Sequence, residues 1–243
     1  MICMVLAAGY ATRLYPLTEN FPKPLLKVGD KTILDWLLDD IEQSNEVSEY
    51  VVISNHKFAH HFDAWAKTKD YKVTVVDDST ESNETRLGAV RDVQFAIDKL
   101  GIDDDILLIA GDNVLDFSLC KFIDYAKAKN TSAVMRYFEP DKAKLQKCGV
   151  LSLDGDVVTS MAEKPESPAT NWCCPPFYFY KKCDLNINTA IADGCGYDAP
   201  GSYVAWLCTK TTVNAMEMPG SRYDIGNLKS YEQVKRDYKG INK

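Results

Sequence analysis

The first half of this chain alternates between two hydrophobic periods, and few folds accommodate that pattern. Ile2–Leu6 is an unbroken apolar run of strand length, followed by Ile33, Leu34, Leu37, Leu38 and Ile41 at helical spacing. The alternation continues with a strand over residues 50–53, a helix over 58–65 and a strand over 73–76. A helix over 87–100 and a strand over 106–109 follow. Asp116 is placed to cap a helix whose face carries Leu119, Phe122, Ile123 and Ala126. Strands separated by helices imply βαβ units and a largely parallel sheet.

The pattern loosens after residue 130. Residues 132–137, 150–153, 157–161 and 177–180 read as strands with few helices between them, which predicts some antiparallel pairing. An amphipathic helix is expected over 228–238, and the Pro-containing stretch 163–176 reads as the longest irregular segment, bent over a site. The expected fold class is α/β, Rossmann-like, with a mixed, mainly parallel central sheet flanked by helices.

Charge narrows the function. A net charge of −7 over 243 residues argues against a nucleic-acid binder, which needs a broad basic surface, but leaves room for a local basic pocket. No apolar run approaches the ~20 residues of a membrane span, so no membrane association is expected. No basic segment precedes the first apolar run, so it reads as a buried strand rather than a signal peptide. The 8 cysteines contain no CxxC pair and read as reduced thiols in a cytoplasm.

Three segments follow strands, where open α/β sheets bind ligands. The first is Leu6-Ala-Ala-Gly-Tyr-Ala-Thr-Arg-Leu14, running on to Pro22-Lys23-Pro24. Small residues at Ala8 and Gly9 let backbone approach a nucleotide, and Arg13 and Lys23 add positive charge. The bland alternative is a small-residue strand exit with solvated charges. The second is Ile109-Ala-Gly-Asp-Asn113, where Asp112 could hold Mg2+ or simply form a turn. The third is Tyr223-Asp-Ile-Gly-Asn227, whose Asp224 is a second candidate ligand or an acid favoured near a helix N-terminus. Gly149 and the triplet Glu163-Lys164-Pro165 lie between them. His56, His60 and His61 read as a solvent-facing helix, and Trp172, Phe177, Tyr178 and Phe179 as core.

In combination these segments are far more specific. The opening LAAGYATRLYPLTENFPKPLL resembles the LAAGxGTRLxPLTxxxPKPLL signature of the sugar-1-phosphate nucleotidylyltransferases. Lys27-Val28 and Lys31-Thr-Ile-Leu34 continue it in register, and Leu87-Gly88, Gly111-Asp112, Gly149-Val150, Glu163-Lys164-Pro165 and Asp224-Ile-Gly226 follow in the family's order.

The resemblance implies nucleotidyl transfer: a sugar-1-phosphate oxygen attacks the α-phosphorus of a nucleoside triphosphate in line, and pyrophosphate leaves. It implies Arg13 and Lys23 as catalytic cations and Asp112 and Asp224 as ligands of an Mg2+ cofactor. Leu6, Ala8, Gly9, Thr12 and Gly88 would contact the nucleotide, with Asn83 a weaker candidate. Gly149, Glu163 and Lys164 would hold the sugar phosphate. A single domain over residues 1–243 is expected, with a nucleotide-binding half at about 1–115 and a sugar-binding half at about 116–243. The partners implied are dTTP or UTP, with CTP an alternative, and a hexose-1-phosphate; assembly as a homo-oligomer is compatible with the resemblance.

Three departures stand out. Ala11 replaces the loop's second glycine, a change tolerated if its φ is negative. Cys148 stands where the family often has tyrosine, and Arg222 where it often has tryptophan, so glucose is not a foregone sugar. The chain is expected to lack the C-terminal β-helix of some relatives. Alternatives are a cytidylyltransferase for phosphocholine, a non-catalytic nucleotide-binding subunit, or a glycosyltransferase, for which no DxD follows a strand.

Overall fold

The computed structural model describes residues 1–241. In chain order the strands of the first half are β1 (Ile2–Leu6), β2 (Lys27–Val28), β3 (Lys31–Thr32), β4 (Glu49–Ser54), β5 (Val73–Asp77), β6 (Ile106–Ala110) and β7 (Asn113–Leu115). Those of the second half are β8 (Ser132–Phe138), β9 (Gly149–Asp154), β10 (Val157–Glu163), β11 (Trp172–Cys174), β12 (Phe177–Tyr180), β13 (Val213–Glu217) and β14 (Arg222–Asp224). The helices are α1 (Ile33–Glu42), α2 (His56–Ala66), α3 (Ala89–Leu100), α4 (Cys120–Lys129), α5 (Lys142–Leu145), α6 (Ile187–Ala192), α7 (Gly201–Leu207) and α8 (Leu228–Asp237).

These elements form two compact units. The first takes Met1–Arg86, Ala110–Lys121 and the chain from Pro219; the second takes Leu87–Ile109 and Phe122–Met218.

In the first unit β1, β4 and β5 pair in parallel, with Leu6 opposite Ile53 and Ile53 opposite Val76. The sequence explains α1 locally. Thr32 caps it, accepting a hydrogen bond from the Asp35 amide while Asp35 accepts one from the Thr32 amide. Ile33, Leu34, Leu37, Leu38 and Ile41 are buried, each contributing roughly 1.5–3 kcal/mol. The last helix, α8, packs Tyr231 and Val234 against Leu14, Val28, Val114 and Ile225. Tyr231 donates to the Lys27 carbonyl at 2.8 Å, and Tyr238 donates to the Leu115 carbonyl at 2.7 Å. A segment more than a hundred residues downstream is thereby fastened beside the opening loop.

The second unit holds seven strands in the order β11-β9-β10-β13-β8-β12-β6. Here β13 and β8 run parallel, whereas β9–β10, β10–β13, β8–β11, β9–β11, β6–β12 and β8–β12 pair antiparallel. All four residues of β12 are buried. Phe177, Tyr178 and Phe179 are therefore core, and the antiparallel share here is larger than expected from sequence.

Three further expectations are corrected. Asp116 does not cap α4: its carboxylate accepts the Ser221 amide at 2.6 Å, and Ser118 Oγ accepts the Cys120 amide at 3.1 Å. The stretch read as irregular contains β11, because Trp172 and Cys173 pair with Leu151 and Val150. Helices α6 and α7 were not anticipated, being only 6 and 7 residues long. Such short pieces carry little periodic signal and draw their stability from packing.

Candidate active site

In the first unit, three separate stretches of sequence supply one polar chain. Lys23 lies in a short 3-10 turn (Lys23–Leu25) entered through Pro22. Its side chain is only 8% exposed, and Nζ bonds Asp112 Oδ2 at 2.9 Å. A buried ammonium is costly without a counter-charge, and Asp112 supplies it. Asp112 Oδ1 accepts from Asn113 Nδ2 at 2.7 Å, and Asn113 Oδ1 accepts from Arg222 Nη1 at 2.6 Å. Arg222 Nη1 lies 3.9 Å from Asp224 Oδ1. The pairing of β7 with β14 sets Asp224 directly opposite Asn113, next to Asp112.

Two glycines allow this convergence. At Gly111 a Cβ would sit 2.9 Å from Val5 Cγ1, and the Gly111 amide bonds the Leu6 carbonyl at 3.1 Å. Asp112 is thereby held at the end of β1. At Gly226 a Cβ would lie 3.3 Å from Asp224 Oδ2 and 4.0 Å from Arg13 Nη1. Asp112, Asp224, Lys23 and Arg13 thus lie in one neighbourhood, with Asp224 and Arg13 exposed.

The opening loop is tied down by Tyr10, which donates to the Thr80 carbonyl at 3.1 Å, and by Asn55 Nδ2, which bonds the Ala8 carbonyl at 2.9 Å. Gly9 is exposed, with open space where a Cβ would stand. Leu6 and Ala8 are half-buried and Thr12 is exposed beside them. Ala11 has φ +48°, the left-handed region, so the condition of a negative φ is not met. Thr18 Oγ1 secures that turn by donating to the Ala11 carbonyl at 2.8 Å. Asn83 is exposed, and its carbonyl accepts from Arg86 Nη1 at 3.1 Å.

In the second unit the EKP triplet closes β10. Gly149 pairs with Glu163 across the β9–β10 ladder. Glu163 is wedged between two glycines: a Cβ at Gly149 would lie 3.3 Å from its Oε1, and one at Gly201 would lie 2.0 Å away. Burial pushes the Glu163 carboxyl above its usual range, opposed by nearby Lys164 and by the Gly201 amide, which donates to it. Lys164 is exposed, at φ +46°, and its amide bonds the Cys148 carbonyl at 2.9 Å. An open cavity of about 320 Å³ adjoins Glu163, reaching Asp193, Ser202 and Trp206. Gly88 has a packing role here, since a Cβ would meet the Tyr197 carbonyl oxygen at 2.6 Å.

Among the described residues no three His, Cys, Asp or Glu side chains cluster as a metal cage. Asp112 and Asp224 would offer two carboxylates, a donor chemistry that suits a hard cation taking its other ligands from phosphate and water. Among the described residues no helix is long and apolar enough to cross a membrane. All eight cysteines are in the thiol form.

The profile of the nucleotidyl transferase family matches residues 2–240. The chain belongs to that family. Among its relatives is a provisionally named mannose-1-phosphate guanyltransferase of Sulfolobus acidocaldarius, 28% identical over 98% of this chain and 61% of that protein. Another is the UTP–glucose-1-phosphate uridylyltransferase AglF of Haloferax volcanii, 26% identical over 93% of this chain and 91% of that one. The chain thus spans less than two thirds of the first relative and nearly all of the second. A UDP-glucose pyrophosphorylase solved with UDP-glucose has the same fold, with a TM-score of 0.82 at 17% identity, over 98% of this chain and 97% of that one.

Each unit also holds residues that the sequence pattern did not single out as functional. Asn113 was hidden as a turn residue beside Asp112. Arg222 stood out only as a departure from the family pattern, and no motif marked Gly201, Asp193 or Trp206.

Proposed function

We propose that this nucleotidyl transferase family member joins a nucleoside triphosphate to a sugar-1-phosphate, giving a nucleoside diphosphate sugar and pyrophosphate. The observation that carries this reading is the gathering of Asp112, Asp224, Lys23 and Arg13 in the first unit, from stretches up to two hundred residues apart. Nothing in a packed core requires two carboxylates and three cations there, counting Arg222; a polyphosphate does.

The backbone of Leu6, Ala8 and Gly9, with Thr12 beside it, takes the base and ribose, and Gly9 leaves space for close approach. Arg13, exposed at the loop, reaches the β- and γ-phosphates and steadies the charge that develops on pyrophosphate as it leaves. Lys23 is buried, so its ammonium stays in one place; it pairs with the α-phosphate and aligns it with the incoming acceptor oxygen. Asp112 and Asp224 would hold a divalent cation such as Mg2+, which supplies neutralisation of phosphate charge. Glu163 accepts from sugar hydroxyls, the Gly149 amide donates to one, and Lys164 takes the acceptor's phosphate. The attacking phosphate oxygen is already ionised, so no general base is required. Asn83 and Gly88 are assigned to the base, of which dTTP, UTP and CTP are candidates. The relatives' names add GTP to the set worth testing.

A pyrophosphate-release matrix decides it: four nucleoside triphosphates and dTTP against glucose-1-phosphate, mannose-1-phosphate, further sugar-1-phosphates and phosphocholine, with Mg2+. At least one sugar pairing should release pyrophosphate and yield a nucleoside diphosphate sugar by mass. Silence throughout, or turnover with phosphocholine alone, refutes the reading.

A further inference from the structure

The cavity beside Glu163 has a wall that the family motifs do not cover. Ser202, Ala205 and Trp206 line it from one face of α7, at the i, i+3, i+4 spacing that places side chains together. Gly196 and Asp193 come from the loop after α6. Ser202 and Ala205 are small and leave the middle of the cavity open, so its two ends are chemically unlike: a carboxylate at Glu163 and an indole at Trp206.

Trp206 is held from three sides. Its Nε1 donates to Asp193 Oδ2 at 2.9 Å. Asp193 also pairs with Lys210 at 3.2 Å, and the Lys210 ammonium stands 5.3 Å from the indole centroid. The Tyr203 ring stacks on the indole at 5.7 Å, with 21° between planes. A half-buried tryptophan at a cavity wall can sample several rotamers; one fixed by an ion pair and a ring loses little entropy when a ligand lands on it.

We propose that Trp206, fixed by Asp193 and Lys210, is the apolar wall of the acceptor site and selects a neutral pyranose ring. The ring would pack against the part of the indole that lines the cavity while its hydroxyl edge meets Glu163. This inference rests on the sugar-1-phosphate reading above and adds the residue that chooses the acceptor class. A quaternary ammonium headgroup fits the cavity poorly. Such a cation is bound by several aromatic faces and by unpaired acids. Here one ring is offered, an ammonium already stands beside it, and Asp193 is occupied by Lys210 and the indole N–H.

The test uses saturation-transfer NMR with α-D-glucose 1-phosphate, α-D-mannose 1-phosphate and phosphocholine as probes, alongside acceptor kinetics for any active pairing. The parent protein should transfer saturation to the ring C–H protons of a sugar phosphate and not to phosphocholine methyls. Trp206→Leu should lose most of that transfer and raise the acceptor KM about tenfold, with kcat and the nucleotide KM within about twofold. Trp206→Phe should recover both readings to within about threefold, and Asp193→Ala carries the test if the leucine variant fails to fold. Asp193→Ala, which frees the indole, should raise the acceptor KM without moving the nucleotide KM. Equal transfer in the parent and Trp206→Leu, no transfer to any sugar phosphate, or transfer to phosphocholine alone overturns the inference. Trp206-dependent sugar contact in a protein that releases no pyrophosphate would support it while refuting the proposed activity.

Discussion

The Lys23–Asp112 pair is lopsided, and cutting it from either end should give different results. The lysine side chain is 8% exposed and the aspartate 40%. Lys23→Met removes the buried charge and fills the same space with a thioether. The aspartate left behind is still hydrated and keeps its bond from Asn113 at 2.7 Å. The expected loss of stability is about 1 kcal/mol or less, because removing a partner from a half-exposed charge costs little. Asp112→Ala strands an ammonium that water barely reaches, and about 3 kcal/mol should be lost, the low end for a broken buried pair. Activity should follow a different order. If Lys23 aligns the α-phosphate, Lys23→Met should lower kcat/KM by about 10²–10³-fold despite its near-parental stability, the usual scale for one preorganised electrostatic contact. Guanidinium unfolding of both variants, read with their m-values, and pyrophosphate release at matched folded fractions make the comparison. Equal destabilisation by the two substitutions would refute the burial argument. A Lys23→Met enzyme within about tenfold of the parent would remove the lysine from the phosphate site.

Two shorter predictions follow from backbone and burial. Ala11 holds φ +48°, where a side chain is strained by roughly 1–2 kcal/mol, and glycine would relieve that at some cost in unfolded-chain entropy. Ala11→Gly should therefore stabilise the protein by about 0.5–1 kcal/mol in a denaturant titration; a loss of stability would show that the loop is unstrained. Glu163 has a carboxyl raised above its ordinary value by burial, so the native state binds its proton more tightly than the unfolded chain does. Ionising it lowers stability as pH rises from below about 4.5 through the raised value, and the deficit persists above it. Glu163→Gln, which still accepts the Gly201 amide, should melt higher than the parent at pH 7 and no higher near pH 4, while raising the acceptor KM; a pH-independent difference in melting would contradict the shift.

Much of the first unit is legible in the residue order because its elements are long and strongly periodic. The five apolar positions of α1 recur at helical spacing, and all five are buried. The second unit is less legible for a physical reason. Its short antiparallel strands and the helices α6 and α7 depend on partners distant in sequence. Trp172 becomes part of a strand only because Leu151 is there to pair with it. Asp116 reads as a helix cap by local rules, yet its carboxylate is claimed by the Ser221 amide, which no local rule could foresee.

The candidate site divides along the same line. The opening loop, with Arg13 and Lys23, is contiguous and therefore recognisable from the order of residues alone. So are the separate strand-end acids Asp112 and Asp224, each with the glycine that lets backbone approach. Their union is a matter of packing. Tyr231 and Val234 of α8 bury against Leu14 and Val28, and that burial carries β14 alongside β7 so that Asp224 faces Asn113. The setting of Trp206 is local on one side, with Tyr203 three residues upstream and Lys210 four downstream, and needs the fold on the other, where Asp193 comes from 13 residues upstream. Local chemistry is written in short stretches of chain, whereas the meeting of charges and rings from distant stretches is paid for by hydrophobic burial elsewhere, which only the folded molecule displays.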